Sequence, residues 1–214
     1  MNFLLKNGLF LLVFGMSCST QESKDNSISS DFLALVRSGD IIFQTSKSAQ
    51  SQAIQLATNS KYSHLGIIVK EGEKMEVFEA IEPVKMTPIN DWIRRGKGGK
   101  FVVKRLKNAE NVLTPNNLAL LKQTGKQFVG KHYDSQFGWD DDRIYCSELV
   151  WKIFKQALNI EVGHLQKLSD FNLKNQVVAQ KLKERYGDKL PMNEPVISPA
   201  AMFVSDLLKT VISN

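Results

Sequence analysis

The clearest hydrophobic pattern in the chain runs from position 146 to position 158. Apolar residues recur there at the i, i+3, i+4, i+7 spacing of one helix face, whereas Lys152, Lys155 and Gln156 fall on the other face. The apolar positions are Cys146, Leu149, Val150, Ile153, Phe154, Ala157 and Leu158. This pattern predicts an amphipathic helix with Cys146 in its opening turn.

Shorter apolar runs predict strands at positions 39–44, 64–69, 75–81 and 101–106. Turn residues at 70–74 separate the second run from the third and predict a hairpin. The glycine-rich segment 96–99 predicts a loop before the fourth run.

Three further helices are predicted from spacing and from capping residues. Positions 46–58 carry apolar residues at helical spacing. Thr114-Pro115 and Ser198-Pro199 each place a capping residue before a proline, which predicts helices to about positions 128 and 209. The elements together indicate an α+β fold, with a small antiparallel sheet or half-barrel packed against helices.

The composition narrows the class of protein. The chain has 214 residues, of which 43% are hydrophobic and 23% charged, as expected for one folded domain and not for a disordered chain. Its 28 Lys and Arg against 22 Asp and Glu give a net charge of +6, but the basic residues are scattered. We therefore expect no nucleic-acid partner.

The first residues are typical of a targeting segment. Residues 1–17 combine a basic residue, an apolar run and small residues, which predicts a secretory signal peptide ending just before Cys18. Cys18 then resembles the lipidated cysteine of a bacterial lipoprotein; the alternative is that it is discarded with the signal. Residues 18–30 are polar and predict a flexible tether, so the folded domain is expected to span 31–214. We therefore expect a protein that is anchored to the bacterial cell envelope through a lipid.

Cys146 is the first candidate for chemistry. The amide groups and dipole at a helix N-terminus favour thiolate over thiol, and a neighbouring imidazolium favours it further. A buried Cys is also a common small core residue, so its position alone leaves nucleophile and core residue as equal alternatives.

The predicted hairpin brings a possible base close to a carboxylate. If paired positions sum to 143, His64 lies directly opposite Glu79; a sum of 145 leaves the two diagonal on one face, and 144 puts them on opposite faces. In the first two registers the carboxylate can orient the imidazole, and an imidazole beside a thiol can activate it. The alternative is a cross-strand pair with a purely structural role.

The remaining candidates are less well placed. His132 and His164 lie in predicted loops and are expected at the surface. The chain has no clustered zinc ligands and no glycine-rich phosphate loop, so neither a metal nor another cofactor is expected.

Three sequence segments carry a resemblance to known enzymes. Gly130-Lys-His-Tyr-Asp and Tyr145-Cys-Ser-Glu-Leu-Val are similar to the nucleophile segment of NlpC-type cell-wall peptidases, and Tyr62-Ser-His-Leu-Gly is similar to their histidine strand. In those peptidases the cysteine helix precedes the histidine strand. The order along this chain is the reverse, because His64 lies 82 residues before Cys146. From about residue 38 to 203 the chain resembles the circularly permuted papain-like amidases of the YiiX/YaeF type.

The resemblance implies a catalytic set and a reaction class. It implies Cys146 as nucleophile, His64 as base and Glu79 as orienting group, with amide or ester hydrolysis through an acyl-enzyme. Gln44 and the Cys146 backbone amide are candidate oxyanion donors, and Tyr145 is a candidate for lining the cleft.

The substrate stays open at this point. Glu148 replaces the small residue that follows Cys-Ser in the peptidases, which weakens the case for peptidoglycan. A peptide, a lipid or another small molecule is the expected partner of a monomeric hydrolase. The alternatives are an acyltransferase and a non-catalytic binding module of the envelope.

Overall fold

The structure, a computed structural model, describes residues 30–214. Ten strands lie in that part of the chain: β1 Ile41–Ser46, β2 His64–Glu71, β3 Lys74–Glu79, β4 Lys85–Pro88, β5 Gly96–Leu106, β6 His132–Tyr133, β7 Arg143–Ile144, β8 Gln166–Lys167, β9 Pro195–Val196 and β10 Leu208–Ser213. The α-helices are α1 Ser30–Leu35, α2 Ala49–Thr58, α3 Ile89–Arg95, α4 Ala109–Val112, α5 Pro115–Lys126, α6 Cys146–Leu158, α7 Gln176–Tyr186 and α8 Pro199–Phe203. A 3₁₀ turn covers Leu168–Asp170.

Six of these strands form one antiparallel sheet in the order β10-β5-β1-β2-β3-β4. Because side chains alternate along a strand, each strand contributes to both faces of the sheet. In β1, Phe43 packs into a large core that includes helix α6, and Ile42 packs into a smaller core that includes Trp92 of α3. The mixed helix and sheet architecture confirms the predicted α+β class.

The β2–β3 hairpin takes the diagonal one of the three registers considered above. Ile67 pairs with Phe78 and Ile68 with Val77, so paired positions sum to 145. Continued by one pair, this register puts Glu79 opposite Gly66. A Cβ atom on Gly66 would lie 2.4 Å from Val77 Cγ1 and 2.7 Å from the Phe78 carbonyl oxygen. Only glycine therefore lets β3 approach this closely beside Glu79.

The amphipathic helix predicted from position 146 is confirmed as α6, and the helix after Thr114 is confirmed as α5. Two other predictions were wrong. The segment 96–99 is the first part of β5 instead of a loop; Gly98 and Gly99 take φ angles of +65° and +66° there, which glycine adopts without strain.

The predicted last helix ends early. Helix α8 stops at Phe203, and Leu208–Ser213 forms the edge strand β10, with Leu208 paired to Leu106 of β5. Thr210, Val211 and Ile212 are β-branched and favour a strand once a partner edge is available.

The predicted signal peptide, Cys18 and most of the predicted tether lie outside the described residues. Between residues 30 and 214, no helix has the length and apolar character needed to cross a membrane.

Candidate active site

Cys146 is the first residue of α6, and its side chain is buried, with 2% of the residue exposed. The residues beside it tie the helix start to the segment after β9. The Ser147 hydroxyl donates to the Ile197 carbonyl at 2.8 Å, and the Tyr145 hydroxyl accepts from the Ile197 backbone N–H at 3.1 Å. These bonds hold the thiol in a fixed position at the helix N-terminus.

Glu148 completes this helix start. One of its carboxylate oxygens accepts from the Tyr145 backbone N–H at 3.2 Å, and the other lies 2.7 Å from Lys152 Nζ. Lys152 also pairs with Asp141 at 2.8 Å, which ties the preceding loop to the helix. Burial raises the pKa of Glu148 to about 8, although these partners act in the opposite direction. The residue that departs from the peptidase pattern is therefore a buried capping residue.

His64 and Glu79 lie on the same face of the sheet and contact each other. His64 Nε2 lies 2.6 Å from Glu79 Oε2, and Glu79 is completely buried. The guanidinium of Arg95, on α3, donates to the other oxygen, Oε1. The carboxylate therefore has a partner on each oxygen.

The charge of Glu79 is supported by these partners. Burial alone would raise its pKa, but the hydrogen bond and charge of His64, the Thr87 hydroxyl and the Arg95 charge together hold the pKa below its usual value. Glu79 is therefore ionised at neutral pH.

The imidazole of His64 links the carboxylate to the thiol. Nε2 is engaged by Glu79, which leaves Nδ1 as the ring nitrogen that can interact with Cys146. Burial alone would lower the pKa of His64, but the hydrogen bonds and charges of Cys146 and Glu79 raise it to about 9. The structure thus brings together the three residues that the sequence pointed to: a sulfur, an imidazole and a carboxylate.

Two residues of α3 support this contact chain and were missed by the sequence analysis. Trp92 stacks on the His64 ring, with centroids 5.9 Å apart and planes inclined by 24°. Arg95 holds Glu79, as described above. Neither had a signal in the sequence pattern, since α3 has only seven residues and no predicted element covered it.

Tyr133 is a third residue that the analysis did not single out. It lies in β6, and its hydroxyl accepts a hydrogen bond from Gln50 Nε2 at 3.1 Å. Burial raises the pKa of Tyr133 well above its ordinary value, and the charge of nearby Cys146 acts in the same direction. The phenol is therefore neutral and keeps its proton for donation. Its place in the Gly130–Asp134 segment, which carries the resemblance, was the available signal.

Of the remaining candidates, Gln44 and Tyr145 lie near the contact chain, whereas His132 and His164 lie at the surface. Gln44 is buried beside His64 in the sheet, with its Oε1 facing Gly96, and is not among the residues that line the pocket at Cys146. His132 is exposed and pairs with Glu82 at 2.6 Å, and His164 is also exposed. Tyr145 does line the pocket.

A mainly apolar pocket opens beside Cys146. Its walls come from α2, α7, the start of α6 and the segment after β9, and include Ala53, Leu182 and Ile197. Its cavity volume is about 70 Å³, small beside that of a drug-sized site, so the pocket is a narrow cleft. Lys181 and Arg185 are the cationic residues of its lining. The thiol therefore adjoins a space that an apolar group can enter.

Comparison with known proteins gives the family. The sequence profile of the family described as permuted papain-like amidase enzymes, YaeF/YiiX, matches residues 35–212. The chain belongs to this family. The permuted papain-like fold and the resemblance stated above are thereby confirmed.

Two similar proteins support the assignment of the chain to this family. The uncharacterized protein YiiX of Escherichia coli is 50% identical over 175 residues, covering 82% of this chain and 85% of the relative. A crystal structure of YiiX from Escherichia coli, described as a metalloprotein, has 49% sequence identity and a TM-score of 0.80. The match covers 84% of this chain and 98% of that one.

The raised pKa of His64 leads to a prediction. Its proton stabilises the folded protein fully below the unfolded value of about 6.5, and that stabilisation is lost as the pH rises through about 9. In Glu79→Gln a neutral amide replaces one of the charges that hold the proton on His64. We therefore expect the midpoint of the His64 titration to fall by about one pH unit or more. Histidine ring signals in NMR spectra, recorded from pH 5 to 10, measure the midpoint.

Glu82→Gln is the matched control, because Glu82 is an exposed carboxylate paired with His132. This variant should leave the His64 midpoint where it is in the wild type. An unchanged His64 midpoint in Glu79→Gln would contradict the assignment of Glu79 as the group that holds the imidazolium.

Proposed function

We propose that the protein is a cysteine hydrolase that cleaves an amide or ester bond through an acyl-thioester intermediate. The contact chain from Cys146 through His64 to Glu79 is the observation that carries this proposal. Family membership supports the amidase class but supplies neither the intermediate nor the substrate.

The reaction begins with His64 already protonated. Because its pKa is about 9, the imidazole holds the proton at neutral pH, and the helix N-terminus favours the negative charge on Cys146. The sulfur attacks the carbonyl carbon and forms a C–S bond. His64 gives its proton to the leaving nitrogen or oxygen as the original bond to the carbonyl carbon breaks.

The second half of the reaction regenerates the thiol. His64, now neutral, takes a proton from water, and the resulting hydroxide attacks the thioester carbon. The C–S bond breaks, the carboxylic acid leaves, and the proton on His64 is again shared with Cys146. Glu79 holds the imidazole in one orientation through both halves.

The negative oxygen formed in each half needs donors. The Cys146 backbone amide has no partner within the helix, as is general for the first helical residues. The Tyr133 phenol keeps a proton, and its pKa is raised by the charge of Cys146 in addition to burial. We propose these two groups as the oxyanion donors; Gln44, which lies opposite His64 in the sheet, stays a weaker prediction.

The pocket favours a substrate with an apolar acyl group. Side chains such as Ala53, Leu182 and Val196 form its walls beside the thiol, and burying an apolar chain there is favourable. A cell-wall peptide offers many polar groups that these walls leave unpaired. We therefore place lipid-like amides or esters ahead of peptidoglycan.

A metal-dependent reaction does not follow from the relative described as a metalloprotein. Among residues 30–214 no group of three His, Cys, Asp or Glu side chains is arranged to hold a metal ion. The described donor set does not fit a metal site, and each step above uses only residues of the chain and water.

We also propose that Cys18 is lipidated and anchors the enzyme in the bacterial envelope. A membrane-bound amphiphile would then lie within reach of the tethered domain. The anchor rests on the sequence of residues 1–30 alone.

The intermediate can be trapped directly. When the enzyme is mixed with p-nitrophenyl octanoate and quenched in acid, we expect its mass to rise by one octanoyl group on Cys146. The adduct should disappear on treatment with hydroxylamine, which cleaves thioesters. Intact-mass and peptide mass spectrometry give the readout, and p-nitrophenyl acetate shows whether the longer chain reacts faster.

Cys146→Ala is the control and should give no adduct and no turnover. Turnover that survives in this variant would contradict the mechanism. No adduct at Cys146 together with no turnover would favour the binding module. An adduct that resists water but is released by added alcohols or amines would favour an acyltransferase.

Tyr133→Phe tests the proposed oxyanion donor. Removing one such donor should lower kcat by about a hundredfold with little change in KM, because the hydrogen bond strengthens only as charge develops on the oxygen. Steady-state kinetics with the octanoyl ester provide the measurement. Tyr186→Phe removes a hydroxyl from the end of α7, where the charges acting on its pKa are those of Asp134, Arg185 and Glu194 and not that of Cys146, and should keep the wild-type kcat. An unchanged kcat in Tyr133→Phe would reject the assignment.

A further inference from the structure

Arg185 is a cationic residue on the wall of the Cys146 pocket. It lies in the last turn of α7, and its side chain is half-buried. The guanidinium carbon lies 4.9 Å from the centre of the Phe137 ring, and Phe137 packs edge-on against Tyr145 with ring centres 5.1 Å apart. Tyr145 directly precedes Cys146, so this stack leads from the guanidinium to the start of the catalytic helix.

No carboxylate of the described residues forms an ion pair with Arg185, although its charge helps to lower the pKa of the neighbouring Glu184. Lys181, the other cation of the lining, pairs with Glu184 at 2.5 Å. Arg185 has no ion pair and no side-chain hydrogen bond to any residue between 30 and 214; its contact there is with the face of Phe137. A half-buried guanidinium normally finds a carboxylate, a carbonyl oxygen or an anionic ligand.

A structural role at the helix end does not account for this geometry. Basic residues in a last helical turn often bind the free carbonyl groups or complement the helix dipole. The Arg185 side chain instead lies across Phe137 on the pocket wall. A guanidinium stacked on an aromatic ring keeps its N–H groups free around its edge, where they can bind the two oxygens of an anion.

We propose that Arg185 binds an anionic group of the substrate, a carboxylate or a phosphate, while the apolar acyl group of the same molecule occupies the pocket beside Cys146. This inference rests on the proposed function and deepens it. The preferred substrate is then an acidic acyl amide or ester, and Arg185 sets the preference for its charge.

Binding to the full chain carrying Cys146→Ala tests the proposal without turnover. Four compounds form two matched pairs: N-octanoylglycine with N-octanoylglycinamide, and N-octanoylethanolamine phosphate with N-octanoylethanolamine. Each pair differs in one anionic group, and comparison between the pairs distinguishes carboxylate from phosphate. Isothermal titration calorimetry gives the dissociation constants.

We expect the anionic member of at least one pair to bind about tenfold more tightly than the neutral member, the size expected of a charge-assisted hydrogen bond. Adding Arg185→Gln should remove this ratio, and Arg185→Lys should restore part of it because the charge returns without the planar geometry. Lys183→Gln removes one charge from an exposed position of the same helix and should keep the ratio.

The other outcomes separate the two proposals. Equal binding within both pairs, a ratio that persists in Arg185→Gln, or no binding of any compound would overturn the role of Arg185. A charge preference that depends on Arg185, in a protein that forms no acyl adduct on Cys146, would keep the anion site and reject the hydrolase.

Discussion

The buried carboxylate of Glu79 is the group on which the site depends. A fully buried carboxylate without partners would take up a proton and could no longer hold an imidazolium. Here each oxygen has a partner, His64 on one and Arg95 on the other. Arg95 is partly exposed and shares its charge with solvent, so the closer constraint is the bond to His64, buried on both sides.

The sheet makes this bond possible. In the observed register Glu79 is diagonal to His64 and opposite Gly66, where any side chain would push β3 away. The carboxylate therefore reaches across the space that Gly66 leaves open. The imidazole then meets Cys146, whose helix packs in the large core on the other face of the sheet. The site forms at the edge where the two cores meet.

The hydrophobic pattern of the sequence was enough to predict the local elements of this arrangement, a helix start and a hairpin. The apolar face of α6 placed Cys146 at a helix start, and the hairpin restricted His64 and Glu79 to a few registers. The register itself depends on where the turn falls, which the sequence left open. The resemblance to the permuted amidases added the assignment of roles that neither pattern contains.

The features that the sequence pattern did not predict depend on tertiary contacts. Helix α3 is short, so Trp92 and Arg95 had no periodic signal, although they support His64 and Glu79. The segment that forms strand β10 was predicted to be helical, because its partner strand, β5, lies about a hundred residues earlier in the chain. The pocket wall formed by α7 likewise arises only when distant helices pack together.

The reactivity of Cys146 towards a small neutral electrophile tests the central contact chain most directly. With iodoacetamide, the wild-type protein should label rapidly at neutral pH, and His64→Gln should label at least about tenfold more slowly because the imidazolium no longer favours the thiolate. Equal labelling rates in the two proteins across the neutral range would contradict the account.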